Sequence, residues 1–551
     1  MSPETHPNRR GTLRRTLLRG VGALAVALTL SSALPAPLSA QQAVPDTTLT
    51  VVPQADLAIL DPVWTTAQIT AEHAFLVYDT LFALDSEFVP QYQMLESHTV
   101  SDDGLTYTFV LRDGLAFSDG SPVEAADAVA SIERWSVRSP EGKLMNARGA
   151  VYEVVDPKTF TLTLDEPFGM VEMAFGSNSR PVFVMREEEA TTDAFEQVKT
   201  VIGSGPFVFD EEAWQPGSRI VYHASPTYVP RDEPADGFAG GKVAKVGTIE
   251  WTVIPDSGTA VNALVAGEVD MLEFPPHDLL PVLDANPTTE SIIIDPVGYQ
   301  GMLRPNSYAP PFDKPEARLA ILHIVQARQE EYLAAMVGLP DYYEVCLTPF
   351  ICGSPFATEA GTDQFKDADL QATVDELMDK AGYDGSPIVV LDPTDQGVMH
   401  NMVLVFAQHL RDLGINVDLQ ATDWGTLVTR RTNKNPPSED PDGYHIFPTW
   451  WGGYSMQNPI TNVPLDTTPG GSNWYGWAAD EELEALRLSF ANAATEAERK
   501  ATMDAIQERF FQVVPYVFVG QFYRPVAFRS DRVDGVLAGG TPVFWNIEKT
   551  D

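Results

Sequence analysis

Apolar residues recur at every second position from Leu105 to Leu111, where Leu105, Tyr107, Phe109 and Leu111 are separated by Thr106, Thr108 and Val110. A period of two is that of a strand with one face buried. Residues 47–52 form a further strand of the same kind. Asp119-Gly120 makes a turn, and Ser121-Pro122-Val123-Glu124 opens a helix. Ser121 is expected as N-cap, Pro122 at the first helical position and Glu124 closing a capping box, with the helix running to about Trp135.

Two later stretches change period from two to 3.6 and back. Ile249, Trp251 and Val253 alternate, a helix spans about residues 259–266, Gly267 supplies the left-handed C-terminal position, and Val269-Asp270-Met271 begins the next strand. Residues 388–391 form a strand, Val403, Phe406, Leu410 and Leu413 make one helical stripe, Gly414 stops it, and Ile415, Val417 and Leu419 alternate. Strand-helix-strand units build open sheets covered by helices, so the fold class is α/β. Their separation of about 150 residues exceeds one domain's usual length and puts them in separate lobes. No low-complexity linker or internal repeat interrupts the chain.

Composition narrows the function. With 551 residues, 44% of them hydrophobic, the chain can bury several cores. Its net charge of -41, from 77 acidic against 36 basic residues, argues against nucleic acid and against an anionic bilayer, both of which require clustered Lys and Arg. The acidity fits solubility or a salty habitat. Concentrated positive charge occurs at the start, where Arg9, Arg10, Arg14, Arg15 and Arg19 precede the apolar run 21–30. This is the order of a secretory signal peptide, residues 1–40, cleaved after Leu38-Ser39-Ala40, and the run is too short to span a bilayer. Arg14-Arg15-Thr16-Leu17-Leu18-Arg19 resembles a twin-arginine export signal, although Leu17 stands where Phe is usual; the general export route is the alternative. No cysteine follows the cleavage region, so a periplasmic protein without a lipid anchor is expected. Cys346 and Cys352, close together in an oxidising compartment, read as one local disulfide, with a pair of buried thiols as the alternative.

Catalytic motifs are missing. There is no His-Glu-x-x-His, no Gly-x-Ser-x-Gly and no complete phosphate loop; Gly237-Phe238-Ala239-Gly240-Gly241-Lys242 misplaces its first glycine and is followed by Val243 instead of a hydroxyl residue. The nine histidines form no ligand pair, and no two carboxylates are singled out.

Four blocks carry a family resemblance. Asp103-Gly104-Leu105-Thr106-Tyr107-Thr108-Phe109-Val110-Leu111-Arg112-Asp113-Gly114, continuing through Phe117-Ser118-Asp119-Gly120, resembles the signature of the dipeptide-, oligopeptide- and nickel-binding proteins of ABC importers, family 5. Ile202-Gly203-Ser204-Gly205-Pro206-Phe207 with Trp214-Gln215-Pro216-Gly217 is similar to the second block, Ala266-Gly267-Glu268-Val269-Asp270 to the third, and Pro310-Pro311-Phe312-Asp313 with Ala317-Arg318-Leu319-Ala320 to the fourth. The resemblance implies a two-lobed periplasmic binding protein of type II, extended by an extra subdomain. By comparison, lobe I is residues 41–298 plus 512–551, with the subdomain at about 75–199, and lobe II is 299–511. It also implies a monomer that takes a small ligand, peptide-like or another organic solute, between its lobes and delivers it to an ABC permease. Neither cofactor nor metal nor enzymatic activity is expected. An exported hydrolase and a ligand-sensing partner of a membrane receptor are the alternatives.

The leading site segment is Thr449-Trp450-Trp451-Gly452-Gly453-Tyr454-Ser455-Met456-Gln457-Asn458-Pro459. Aromatic walls with a few polar groups suit a ligand pocket, and the competing reading is a loop packed into the core. Trp450, Trp451, Tyr454, Ser455 and Asn458 are the candidates there. The segment resembles the family's ligand loop, in which dipeptide binders carry a Trp followed by Gly-Asp, the Asp pairing with the peptide amine. Here Gly453 or Ser455 takes that place, so a free dipeptide is disfavoured unless Asp395 or Asp423 substitutes. Further candidates are Trp64 and Thr65 after the first strand, Arg304 and Asn306 after the crossing between lobes, Asp395 and Gln396 after a second-lobe strand, and Trp474 in Asn473-Trp474-Tyr475.

Overall fold

The alternation at 105–111 forms the strand Thr106–Leu111, with Tyr107, Phe109 and Leu111 buried. It lies inside a four-stranded antiparallel sheet ordered Leu95–Val100, Thr106–Leu111, Thr159–Thr163, Val151–Asp156. The helix Ala125–Arg138 covers this sheet with Ala128, Ile132 and Trp135. A computed structural model describes residues 46–550 apart from 66, 178, 179, 355, 367, 368, 472 and 494; the expected signal peptide 1–40 lies outside the described residues.

That helix begins later than its sequence suggests. The hydroxyl of Ser121 bonds the Asp119 carboxylate at 2.6 Å instead of capping, and Asp119 also accepts from the Ser121 amide. Residues 121–123 stay extended, with the Val123 amide donating to the Leu115 carbonyl. Glu124 is the N-cap, and Asp127 closes the capping box by accepting from the Glu124 amide at 2.8 Å.

Two larger sheets carry the lobes. The first has seven strands in the order Glu290–Ile292, Val526–Phe528, Met271–Glu273, Thr48–Val52, Thr248–Thr252, Arg219–Ala224, Phe207–Phe209. Thr48–Val52 runs parallel to both Thr248–Thr252 and Met271–Glu273, which the helix Ser257–Ala266 connects, ended by Gly267 at φ 78°. The second sheet is ordered Tyr343–Glu344, Val517–Phe522, Tyr299–Pro305, Ile446–Gly452, Ile388–Pro393, Val417–Thr422. Here the helix Gly397–Asp412 links the parallel pair Ile388–Pro393 and Val417–Thr422, with Gly414 at φ 78° just beyond it. Tyr299–Pro305 is buried along its whole length because it has strands on both sides and helices over its faces.

Val517–Phe522 pairs with Tyr299–Pro305 in the second sheet, and the chain rejoins the first sheet with Val526–Phe528. The chain therefore crosses between sheets twice, at 293–298 and 523–525. The crossings are tied together. Gln521 donates to the Val297 carbonyl at 3.0 Å, and Asp295 accepts from the amides of Val297 and Gly298. Gly298 (φ 59°) is needed here, since a Cβ would stand 2.5 Å from the Phe522 carbonyl oxygen. Cys346 and Cys352 are joined in a disulfide beside the edge strand Tyr343–Glu344.

Candidate functional site

A cavity of about 490 Å³ opens between the two lobes. The first lobe contributes Gln54, Thr65, the first turn of the helix Gln68–Val77, Arg180 and Gly540-Thr541. The second contributes Trp424, Val428 and Arg431 from the helix Trp424–Arg430 and its end, the strand end Thr449 to Gly452, Tyr454, Ser455 and Trp474. Trp450 and Trp451 thus belong to a strand that runs to Gly452, not to a loop, and Tyr454 and Ser455 sit on the one-turn helix Gly453–Met456 that follows.

Strand alternation sends the two tryptophans into different surroundings. Trp450 packs edge-on against Tyr299 at 5.1 Å and lies 5.3 Å from the guanidinium of Arg524, which also stacks on Phe274 at 4.0 Å. Trp451 meets Trp474 edge-on at 5.3 Å, and its buried indole N–H has no acceptor among the described residues. Tyr454 reaches across the cleft to Phe88, with centroids 5.2 Å apart, and lies over Gly540. Burial, aided by Asp295 and Tyr299, raises its phenol far above the usual range, so it acts as a neutral hydrogen-bonding group.

Of the sequence candidates, Trp450, Trp451, Tyr454, Ser455, Trp474 and Thr65 line this cavity. The others do different work. Asn458 is buried and accepts from the Ile460 and Thr461 amides, closing a turn. Trp64 lies outside the lining; its turn is pinned by Asp61, and its carbonyl accepts from Arg138 at 2.9 Å. Arg304 is fully buried, donates to the carbonyls of Tyr475, Pro464, Pro515 and Trp474, and does not line the cavity. Asn306 is equally buried and bonds the Tyr308 amide and the Tyr444 carbonyl. Asp395 caps Trp424 through its amide at 2.9 Å, and Gln396 starts the helix Gly397–Asp412. Asp423, the other acid able to replace the family aspartate, is occupied by Thr426 at 2.9 and 2.6 Å.

Gln68, Tyr299, Trp424, Arg180, Arg431 and Thr541 are lining residues that sequence reasoning missed. The capping pair Asp423-Thr426 marks where the helix bearing Trp424 starts; nothing local marks Arg180 or Thr541.

Beneath the first-lobe wall lies a buried acid pair. Glu72 accepts from Gln68 at 3.0 Å and from Thr541 at 2.8 Å, and Glu273 accepts from the Gln54 amide at 2.8 Å. One oxygen of each carboxyl has no donor. Burial lifts Glu72 well above the carboxylate range, reinforced by the negative field of Glu273, and burial moves Glu273 up to about 7. The pair therefore holds a proton that the unfolded chain releases near pH 4.5. A carboxyl raised in the folded state stabilises fully below its unfolded value, and that stability is lost as pH rises through the folded value. Melting temperature is expected to fall as pH rises from about 4.5 to about 7, and Glu273→Gln to flatten the fall. Melting curves of both proteins across that window measure this; equal slopes contradict it.

Among the described residues, no group of acids, histidines and cysteines is arranged to hold a metal ion, and no helix is long and apolar enough to cross a membrane. The family model for bacterial extracellular solute-binding proteins, family 5 middle, matches residues 89–473. The chain is a family 5 solute-binding protein. It is 38% identical over 97% of its length, and 99% of the relative's, to the probable peptide ABC transporter periplasmic-binding protein y4tO of Sinorhizobium fredii. The glutathione-binding protein GsiB of Salmonella paratyphi A is 26% identical over 75% of this chain and 76% of its own.

Solved family 5 structures share the fold. The periplasmic binding protein AgaA of A. tumefaciens R10, in complex with agropinic acid, superposes with a TM-score of 0.74 at 21% identity, covering 92% of this chain and 99% of that one. DppA of Helicobacter pylori with the peptide STSA gives 0.74 at 19% identity, covering 92% and 98%. This family 5 protein is accordingly two-lobed, and its family is one of bacterial extracellular solute-binding proteins.

Proposed function

We infer that this family 5 protein is exported to the periplasm, captures a small peptide-like or other organic solute in the interlobe cleft, closes over it and presents it to an ABC permease without chemical conversion. The observation that carries this reading is the cavity of about 490 Å³ with walls from both sheets, within the size range of small-molecule sites. Its four tryptophans provide area, and Thr65, Gln68, Ser455 and Thr541 provide orientation. A ligand touching both walls stabilises the closed arrangement by its differential contacts. The names of the relatives support a ligand of this size: a peptide transporter, a glutathione binder and an agropinic acid complex.

Gly540 provides the test of closure. A Cβ there would stand 1.9 Å from the Tyr454 ring, which also packs edge-on against Phe88. Gly540→Ala is expected to hold the lobes apart and weaken binding about tenfold or more, roughly 1.4 kcal/mol or above. Small-angle scattering should show wild-type protein contracting when saturated with its copurified ligand and the variant failing to contract. A wild-type protein that binds without contracting would rule out capture by closure.

A further inference from the structure

We propose that the cleft selects a small organic anion with two acidic groups and no ammonium group, gripped by Arg431 from the second lobe and Arg180 from the first. The proposal rests on the capture reading above and names the chemistry of its ligand. Among the described residues, the charged ones in the cavity wall are these two arginines, and no Asp, Glu or Lys lines it. In a chain with 77 acidic against 36 basic residues, a wall drawn without regard to charge would be mainly acidic.

Among the described residues, no carboxylate acts on Arg431, and one, Glu141, acts on Arg180. Arg431 lies among aromatic rings, 4.8 Å from the centroid of Tyr475, 5.8 Å from Trp424 and from Trp474, and 5.9 Å from Phe447. Among the described residues its buried Nε has no acceptor, and the groups that favour its charge are Tyr475 and Tyr444, not a carboxylate. Its neighbour Arg430 differs: that guanidinium is used on Gln420 and on the carbonyls of Gly443 and Asp442. Arg180 has one acid favouring its charge, the buried Glu141, which also accepts the Ser139 hydroxyl at 2.7 Å, so its partner is shared. A desolvated guanidinium without an anion is unfavourable, whereas a planar fork that meets a carboxylate in a dry cleft makes paired, charge-assisted bonds. Because the two forks come from opposite lobes, a diacid engages both and favours closure, while a monoacid engages one. The acids that might have received an ammonium group, Asp395 and Asp423, are spent on helix caps.

The test is calorimetry at low ionic strength with four matched probes: N-acetyl-Ala-Glu, its uncharged counterpart N-acetyl-Ala-Gln amide, the cationic N-acetyl-Ala-Lys amide, and Ala-Glu with a free amine. N-acetyl-Ala-Glu is expected to bind at least about thirtyfold more tightly than the other three, with affinity falling as salt is added. Arg180→Gln and Arg431→Gln should each cost the diacid about tenfold or more, Arg431→Lys should recover part of the loss, and the ligand-free melting temperature of each variant controls for folding. Binding of the neutral or cationic probe as tightly as the diacid overturns the proposal and leaves capture standing. So does a diacid affinity unchanged in both glutamine variants. Failure of the wild type to bind N-acetyl-Ala-Glu overturns the proposal as well, while capture is judged on the copurified ligand.

Discussion

Trp451→Ala is expected to weaken ligand binding by about a hundredfold while the ligand-free protein melts almost where the wild type does. The indole is partly buried on the cleft wall, and its ring contact is Trp474 at 5.3 Å, itself a wall residue. Truncation therefore removes aromatic area that ligand would bury, worth a few kcal/mol, and opens no hole in the core. Each 1.4 kcal/mol is about a factor of ten. Trp450→Ala should behave differently: Trp450 is packed on Tyr299 and Arg524, so its loss should lower both affinity and melting temperature. Paired titration and ligand-free melting of the two variants measure this. Equal loss of stability in both, with unchanged affinity, would make the segment core and not site.

Arg304→Ala is expected to be the most damaging single change to the fold. The guanidinium satisfies four buried carbonyls, from Tyr475, Pro464, Pro515 and Trp474, which tie the second sheet to the loop that holds Trp474. Burial works against its charge, so the site tolerates the cation because four of its five N–H donors are used. Removing it strands buried acceptors and leaves a cavity, a cost of about 3–5 kcal/mol. Denaturant melts of the ligand-free variant measure the loss. A stable Arg304→Ala protein with reduced affinity would return Arg304 to the binding site.

The two variants mark where the sequence was legible. Aromatic and small polar residues crowded into 449–459 announce a pocket by composition, and six of the twelve sequence candidates line it. The strand-helix-strand units were equally readable, because their periods are local and Gly267 and Gly414 end the helices in the left-handed region, where glycine is at no disadvantage. What failed was decided at long range. Val517–Phe522 and Val526–Phe528 look alike as apolar strands, and their division between two sheets is settled by Tyr299–Pro305 and Met271–Glu273, more than 200 residues away in sequence. Ser121 lost its capping role to an alternative hydroxyl partner two residues back, Asp119. Arg304 and Arg431 are both arginines near aromatic residues; one is consumed by carbonyls and the other faces the cleft, a difference that exists only after the lobes are assembled.

Capture of a solute in the interlobe cleft is the central claim, and native mass spectrometry of the exported protein tests it most directly. Wild-type protein should carry one small organic molecule per chain, recovered unchanged on release, while Trp451→Ala protein prepared in the same way should be empty and still folded. A variant that retains the same molecule at wild-type occupancy would place its binding site elsewhere and contradict the account.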